Sequence, residues 1–270
     1  MSPISEYPQR IVCLTEETTE TLYLLGEDWR IVGISGFTVR PPRARREKPR
    51  VSAFTSANTA RILELKPDLV LGFSDLQADI GAQLARAGLE VHLFNQRSVA
   101  EILRMIRTLG GMLGCEHRAQ QLAAGLGRGL EAVRERAAAL PRRPRVYFEE
   151  WDDPMISGIR WVSELIELAG GEDCFPELAR EPLGRNRIIA DPAEVPRRAP
   201  DIVLGSWCGK RFRPERVAAR PGWSAVPAVR TGFVREIKSA LILQPGPAAL
   251  TDGVRAVCDI IAEWAESQRS

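Results

Sequence analysis

PDLVLG, Pro67 to Gly72, returns almost unchanged as PDIVLG, Pro200 to Gly205. Each copy is a Pro-Asp pair, three apolar residues and a glycine. RILELK precedes the first and AEVPRRA the second, and both read as helix ends. A short apolar run behind a Pro-Asp stop reads as a buried parallel strand entered from a helix. Loops at the carboxyl ends of such strands contact ligands. Two copies point to two similar lobes with a cleft between them.

The repeat extends outward from these hexapeptides. Gln9–Leu14 and Pro144–Phe148 read as the first strand of each half, and a helix follows each. The first helix runs into LLGED, Leu24 to Asp28, and the second into LAGGED, Leu168 to Asp173. Glycine after an apolar helical stretch is a stop signal, because it accepts the left-handed conformation. Each half therefore reads strand, helix, Gly-Glu-Asp stop, Pro-Asp strand.

Between the halves, Arg118 to Leu140 contains no proline, and Leu122, Leu126, Leu130 and Val133 recur at helical spacing. Gly125, Gly127 and Gly129 weaken this helix, and Pro141 and Pro144 end it. Some 22 residues at about 1.5 Å each make a strut of roughly 33 Å. The expected organisation is an N-terminal lobe over 1–117, a linking helix over 118–141 and a C-terminal lobe over 142–270. The fold class is α/β, with two Rossmann-like lobes, parallel-type central sheets and one long joining helix.

Composition narrows the function classes. The chain has 270 residues, 44% hydrophobic and 27% charged, which suits one large or two ordinary globular domains. A net charge of +2 gives no electrostatic case for nucleic acid. The basic runs at Arg40–Arg50 and Arg142–Arg145 carry prolines and read as solvated loops or edges. Met1 to Pro8 has neither a cationic start nor an apolar core, so the expectation is no targeting segment and a cytoplasmic location. The alternative is a periplasmic protein whose signal segment was removed or misannotated. No run approaches 18 apolar residues, so no membrane span is expected. Five scattered cysteines without a CxxC pair read as reduced thiols, with Cys13 and Cys258 in the core.

Catalytic and metal signatures are sparse. His92 and His117 are not paired at metal-ligand spacing, and a structural or surface role is expected for each. The glycines of AGLGRGLE lie inside the long helix and are discounted as a dinucleotide loop. Glu16, Glu17 and Glu20 follow the first strand and read as complements to a helix N-terminus. Glu149, Glu150, Asp152 and Asp153 surround Trp151 and read as a loop at the cleft. An enzyme using that acidic loop is the weakest functional reading, because no nucleophile-base pair is visible.

Aromatic residues mark the expected cleft. Phe37, Phe54, Phe73, Trp151 and Trp207 each sit just after a predicted strand. Large flat rings suit a large, partly apolar ligand. Any single ring is equally explained by core packing; the grouping carries the reading. Arg160, Lys210 and Lys238 are candidates for polar or charged ligand contacts.

RIVCLTEETTETLYLLG, RIVGIS, RVSAF and ILELKPDLVLG together resemble the N-terminal lobe of the cobalamin and ferric-siderophore substrate-binding proteins of ABC importers. The resemblance continues through RVYFEEWDDPMISG, WVSELIELAGGEDCF, the second PDIVLG and PGWSAVPAVRTGFVREI. It spans nearly the whole chain and is nearest the cobalamin-binding branch. It implies a non-enzymatic, monomeric binding protein with no intrinsic cofactor and cobalamin or a related corrinoid as ligand. It places Phe37, Phe54, Phe73, Met155 and Trp207 against the corrin ring or its substituents. A ferric-siderophore or haem binder on the same scaffold is the alternative. Haem would want a tyrosine or histidine ligand, and a siderophore clustered arginines such as Arg160, Arg211 and Arg213.

The chain also departs from that family. Its members dock on a permease through one exposed glutamate per lobe. Ala60 stands at the first of these positions and Ala193 near the second, with Glu194 one place on. An ABC permease is the partner the resemblance implies, with these docking carboxylates missing or displaced.

Overall fold

In the computed structural model, which describes residues 6–269, ten strands make two sheets, and runs of β-branched and leucine residues form the central strands of the first, such as Ile11–Cys13 and Leu69–Phe73. β1 (Ile11–Cys13), β2 (Ile31–Ser35), β3 (Arg50–Ser52), β4 (Leu69–Phe73) and β5 (Val91–Phe94) lie in the order β3-β2-β1-β4-β5. Every pairing in this sheet is parallel. Val12, Leu14, Ile62, Val70 and Leu84 form its buried core.

The second sheet contains β6 (Arg145–Asp152), β7 (Met155–Ser157), β8 (Glu172–Asp173), β9 (Ile202–Gly205) and β10 (Val234–Glu236). Its order is β10-β9-β6-β7, with β8 also paired to β6. The expected parallel-type central sheet is present through β10, β9, β6 and β8, and β7 adds one antiparallel strand on β6. Only Asp153 and Pro154 separate the two strands, and so short a link permits no crossover. Tyr147, Phe175, Val203, Trp207 and Trp223 lie in the core on this sheet.

The chain falls into two compact units. One holds the residues up to Gln96 with Ala100–Leu126; the other holds Arg97–Val99 with the chain from Gly127 onward. The helix Glu116–Ala137 crosses that division, starting two residues before the expected Arg118 and ending three before Leu140. Ala119, Ala123, Leu126, Leu130 and Val133 line its buried face at intervals of three and four. Among the described residues no helix is long and apolar enough to cross a membrane.

The repeated hexapeptide has a physical explanation in each unit. The Pro-Asp strand lies beside the first strand both times, β4 on β1 and β9 on β6. Asp68 accepts hydrogen bonds from the backbone N–H groups of Gln9 (2.7 Å) and Arg10 (2.8 Å). Asp201 accepts from the backbone N–H of Arg145 (2.9 Å) and from the Arg142 guanidinium (2.9 Å). The aspartate thus satisfies the unpaired donors where the central strand enters the sheet. The closing glycine is set by close approach. A Cβ on Gly72 would meet Gln77 Oε1 at 2.7 Å, and one on Gly205 would meet the Phe212 ring at 1.8 Å. Even the residue before each proline repeats, with Lys66 at φ 47° and Ala199 at φ 44°.

Two smaller expectations change. Arg40–Arg50 contains a short helix, Ala44–Glu47, and two of its arginines are engaged: Arg40 pairs with Glu20 (2.8 Å) and Arg43 with Asp28 (3.4 Å). Cys13 is buried as expected, but Cys258 is only half-buried, on the helix Val254–Ser267.

Candidate functional site

In the first unit the loops that leave the carboxyl ends of β1 to β4 carry the candidate residues. Phe37 sits on the turn after β2 and is 53% exposed. Its backbone N–H donates to Ser35 Oγ (3.2 Å), which holds the turn closed while the ring stays outside the core. Phe54 follows β3 and is half-buried. Phe73 is the last residue of β4 and is buried, so it contributes packing more than open surface.

Gln77 organises these loops and was not singled out from the sequence. It is completely buried. Its Oε1 accepts from the Phe73 N–H (2.9 Å), and its Nε2 donates to the carbonyls of Phe54 (2.9 Å) and Leu14 (3.3 Å). One side chain therefore ties together the ends of β1, β3 and β4. The only sequence signal was a polar residue four places after an apolar strand, which is too common to stand out.

Glu16 and Glu17 begin the helix Glu16–Leu24 that leaves β1. Both are buried, so this is more than a solvated helix start. Burial, then the neighbouring Glu17 and Glu20 charges, push the Glu16 carboxyl up to about 8. Burial dominates at Glu17 as well, pushing it up to about 7, and its Oε1 has no hydrogen-bond partner. Arg45 offsets the Glu16 shift only weakly. Near neutral pH the pair therefore retains protons.

In the second unit the acidic cluster is corrected from a loop to a strand. Glu149, Glu150 and Asp152 all lie within β6. Glu149 is completely buried and forms a two-pronged ion pair with Arg220, at 2.5 and 2.9 Å. It also accepts from Trp207 Nε1 (2.9 Å) and Tyr147 Oη (2.9 Å). Burial and the Glu149 charge raise the Tyr147 phenol well above its ordinary range, so it stays a donor. Glu150 pairs with Arg187 at 2.7 and 3.0 Å, and Arg187 is itself buried. Neither arginine was identified from the sequence; each lies dozens of residues from its partner, a distance no local pattern reveals. These carboxylates hold the unit together and are not positioned for acid-base chemistry.

Trp207 is only 3% exposed, so most of it is core and not ligand surface. Its ring packs edge-on against Phe212, with centroids 4.9 Å apart. Trp151 is half-buried, and its Nε1 donates to the Asp153 carbonyl (2.9 Å). Lys210 bridges the two indoles, with Nζ 4.2 Å from the Trp151 centroid and 5.1 Å from that of Trp207, while pairing with Asp152. Met155 is buried in β7 within the same core. Lys238 is exposed and pairs with Glu236. Arg160 stands apart, paired with Glu164 (2.8 Å) on the helix Arg160–Leu168.

Trp207, Lys210 and Lys238 come together around a cavity of about 280 Å³ at the carboxyl ends of β9 and β10. A second cavity, about 220 Å³, lies in the first unit beside β5 and includes His92 and Arg104. Burial holds the His92 imidazole below its ordinary range, favouring the neutral form. Among the described residues no cluster of histidine, cysteine or carboxylate groups could hold a metal ion.

Comparison with known proteins agrees with this architecture. A family model described as periplasmic binding protein matches residues 11–241, which takes in both sheets. The chain is 25% identical over 272 residues to an uncharacterized ABC transporter substrate-binding lipoprotein, YvrC, of Bacillus subtilis (strain 168), covering 96% of this chain and 81% of that protein. It is 27% identical over 193 residues to the vitamin B12-binding protein of Yersinia pseudotuberculosis (serotype O:3, strain YPIII), covering 69% and 68%. The periplasmic heme-binding protein RhuT from Roseiflexus sp. RS-1 superposes with a TM-score of 0.78 at 25% identity, over 94% of this chain and 99% of that one. The chain belongs to the periplasmic binding protein family: it is a solute-binding protein of the ABC importer type, not an enzyme.

Proposed function

We propose that this periplasmic binding protein takes a corrinoid, cobalamin or a close relative. The exposed Phe37 ring carries the reading. A large ring left half outside at the ligand end of a parallel sheet has no packing role there, and it suits a broad, partly apolar macrocycle. Phe54 offers a further apolar surface in the same unit. The second unit, taken by itself, carries the Trp151 ring and the Lys210 and Lys238 amines, groups that match the apolar face and the amide and phosphate oxygens of a corrinoid.

Haem and ferric siderophores are less well served. Haem iron takes a histidine or tyrosine. Among the described residues His92, Tyr147, Tyr23 and His117 lie within strands or helices, and Tyr7 precedes β1, at its amino end and not its carboxyl end. Tyr147 and Tyr23 are already bonded to Glu149 and Glu47. Of the arginines a siderophore would want, Arg160 pairs with Glu164 and Arg213 lies 3.9 Å from Glu215. A cobalt corrinoid brings its own equatorial ligands and needs neither feature.

An importer permease is the partner the family implies. Ala60 is exposed where a docking carboxylate was sought, and Glu194 is held by both Arg197 and Arg198. Docking would therefore rest on other contacts. Parallel titrations with cyanocobalamin, haemin and ferrichrome, followed by tryptophan fluorescence, test the ligand reading. Saturation by cyanocobalamin at the lowest concentration supports it; preferential saturation by either iron ligand overturns it.

A further inference from the structure

The cavity beside β9 and β10 has more hydrogen-bond donors than its own residues use. Ser206 is 1% exposed and its hydroxyl has no hydrogen-bond partner. Ser206, Arg211, Lys210, Lys238 and Glu236 all line the space. Lys210 is matched by Asp152, and Lys238 by Glu236. Arg211 is exposed and, among the described residues, is matched by no carboxylate. The lining therefore holds three cations against one carboxylate, together with a buried hydroxyl that lacks a partner.

A buried hydroxyl without a partner has lost its water and gained nothing in return, so a group that supplies an acceptor is favoured there. An unpaired guanidinium next to it favours an acceptor that is also anionic and planar or tetrahedral in its oxygens. A neutral acceptor would leave Arg211 unmatched, and a cation would meet its unpaired positive charge.

We infer that this cavity is an oxyanion subsite, in which Ser206 and Arg211 hold a phosphate or carboxylate group of the ligand against the Trp207 wall. The inference rests on the ligand reading above, and it adds a chemical selection to it. A corrinoid that retains its phosphodiester would be preferred over one that has lost the nucleotide loop. The same oxygen chemistry could arrive as free phosphate, so the two sources need separate arms.

The first arm titrates the full chain with inorganic phosphate at constant ionic strength, using chloride as control and the Trp207 indole N–H resonance as readout. A saturable shift that chloride does not produce, and that Arg211→Gln abolishes, is expected. No saturable shift in the wild-type chain overturns the subsite. The second arm measures cyanocobalamin and cobinamide, which lacks the phosphodiester, on wild type, Arg211→Gln and Ser206→Ala. Arg211→Gln is expected to weaken cyanocobalamin about tenfold, as for loss of one charge-assisted hydrogen bond, and to leave cobinamide within about twofold. Equal losses for both ligands, or none for either, overturn the subsite while leaving corrinoid binding intact. A phosphate response without any corrinoid binding overturns the ligand reading and leaves the subsite standing. Arg211 is exposed and Ser206→Ala removes an unpartnered hydroxyl, so both variants are expected to fold.

Discussion

Each unit buries carboxylates near the end of its first strand, and the two are treated in opposite ways. In the second unit Glu149 meets Arg220, Trp207 and Tyr147, so its charge is fully compensated. In the first unit burial and the Glu17 and Glu20 charges act on Glu16 with only weak offset from Arg45, and Glu17 is relieved by hydrogen bonds to Thr15 and to backbone and by no cation. The carboxylate matched by a guanidinium anchors a core; the pair without one takes up protons instead. The same backbone repeat thus supports one unit stabilised by buried charge and another whose stability depends on pH.

The largest effect should come from breaking the compensated side. Arg220→Ala strands a completely buried carboxylate and should cost about 3–5 kcal/mol in urea denaturation. Replacing both partners, Glu149→Leu with Arg220→Met, should recover most of that loss. Equal destabilisation by the single and double variants would mean that Glu149 is held mainly by Trp207 and Tyr147.

On the first unit, Gln77→Leu should cost about 1–3 kcal/mol, because it leaves buried backbone donors and acceptors at Phe73 and Phe54 unsatisfied. It should also weaken ligand binding through Phe54, whereas Arg220→Ala, assayed where the protein is still folded, should act through the other unit.

The acidic pair makes a prediction with a definite sign. Glu16 and Glu17 are raised above 4.5, to about 8 and about 7, so the folded chain binds protons that the unfolded chain has lost. Their contribution to stability is complete below about 4.5 and is lost as pH rises through 7 and 8. The double variant Glu16→Gln, Glu17→Gln should flatten this slope and be more stable than wild type at pH 8. Denaturation midpoints at pH 5 and pH 8 check it; an unchanged slope would show that Glu16 and Glu17 are not the groups responsible.

The smallest effect sharpens the repeat itself. Lys66 and Ala199 both adopt left-handed backbone before a proline. Lys66→Gly and Ala199→Gly should each be neutral or stabilise by up to about 1 kcal/mol, against the usual cost of glycine. A clear loss at one site only would show that the two turns are not equivalent.

Much of this architecture was legible in the chain, for reasons that differ by element. PDLVLG and PDIVLG were readable because the Pro-Asp stop, the apolar run and the closing glycine are contiguous; the aspartate tie was not, since Asp68 reaches Arg10, 58 residues back, and Asp201 reaches Arg145, 56 residues back. The long helix was readable because its leucines recur every three or four places. The antiparallel β7 was not, since Trp151–Ser157 looks like a loop until Asp153 and Pro154 are seen to turn it back. The site was less legible than the fold. Trp207 was read as ligand surface, yet its indole N–H points to Glu149, a partner 58 residues away. Arg187, Arg220 and Gln77 act only through such distant partners, and no spacing rule connects them.

The central claim is that this family member holds a corrinoid, and calorimetric titration with cyanocobalamin tests it most directly. The account predicts saturable binding of one cyanocobalamin per chain at about micromolar affinity or tighter, near −8 kcal/mol. No heat of binding at several temperatures, from a chain shown to be folded by its cooperative unfolding, would contradict it.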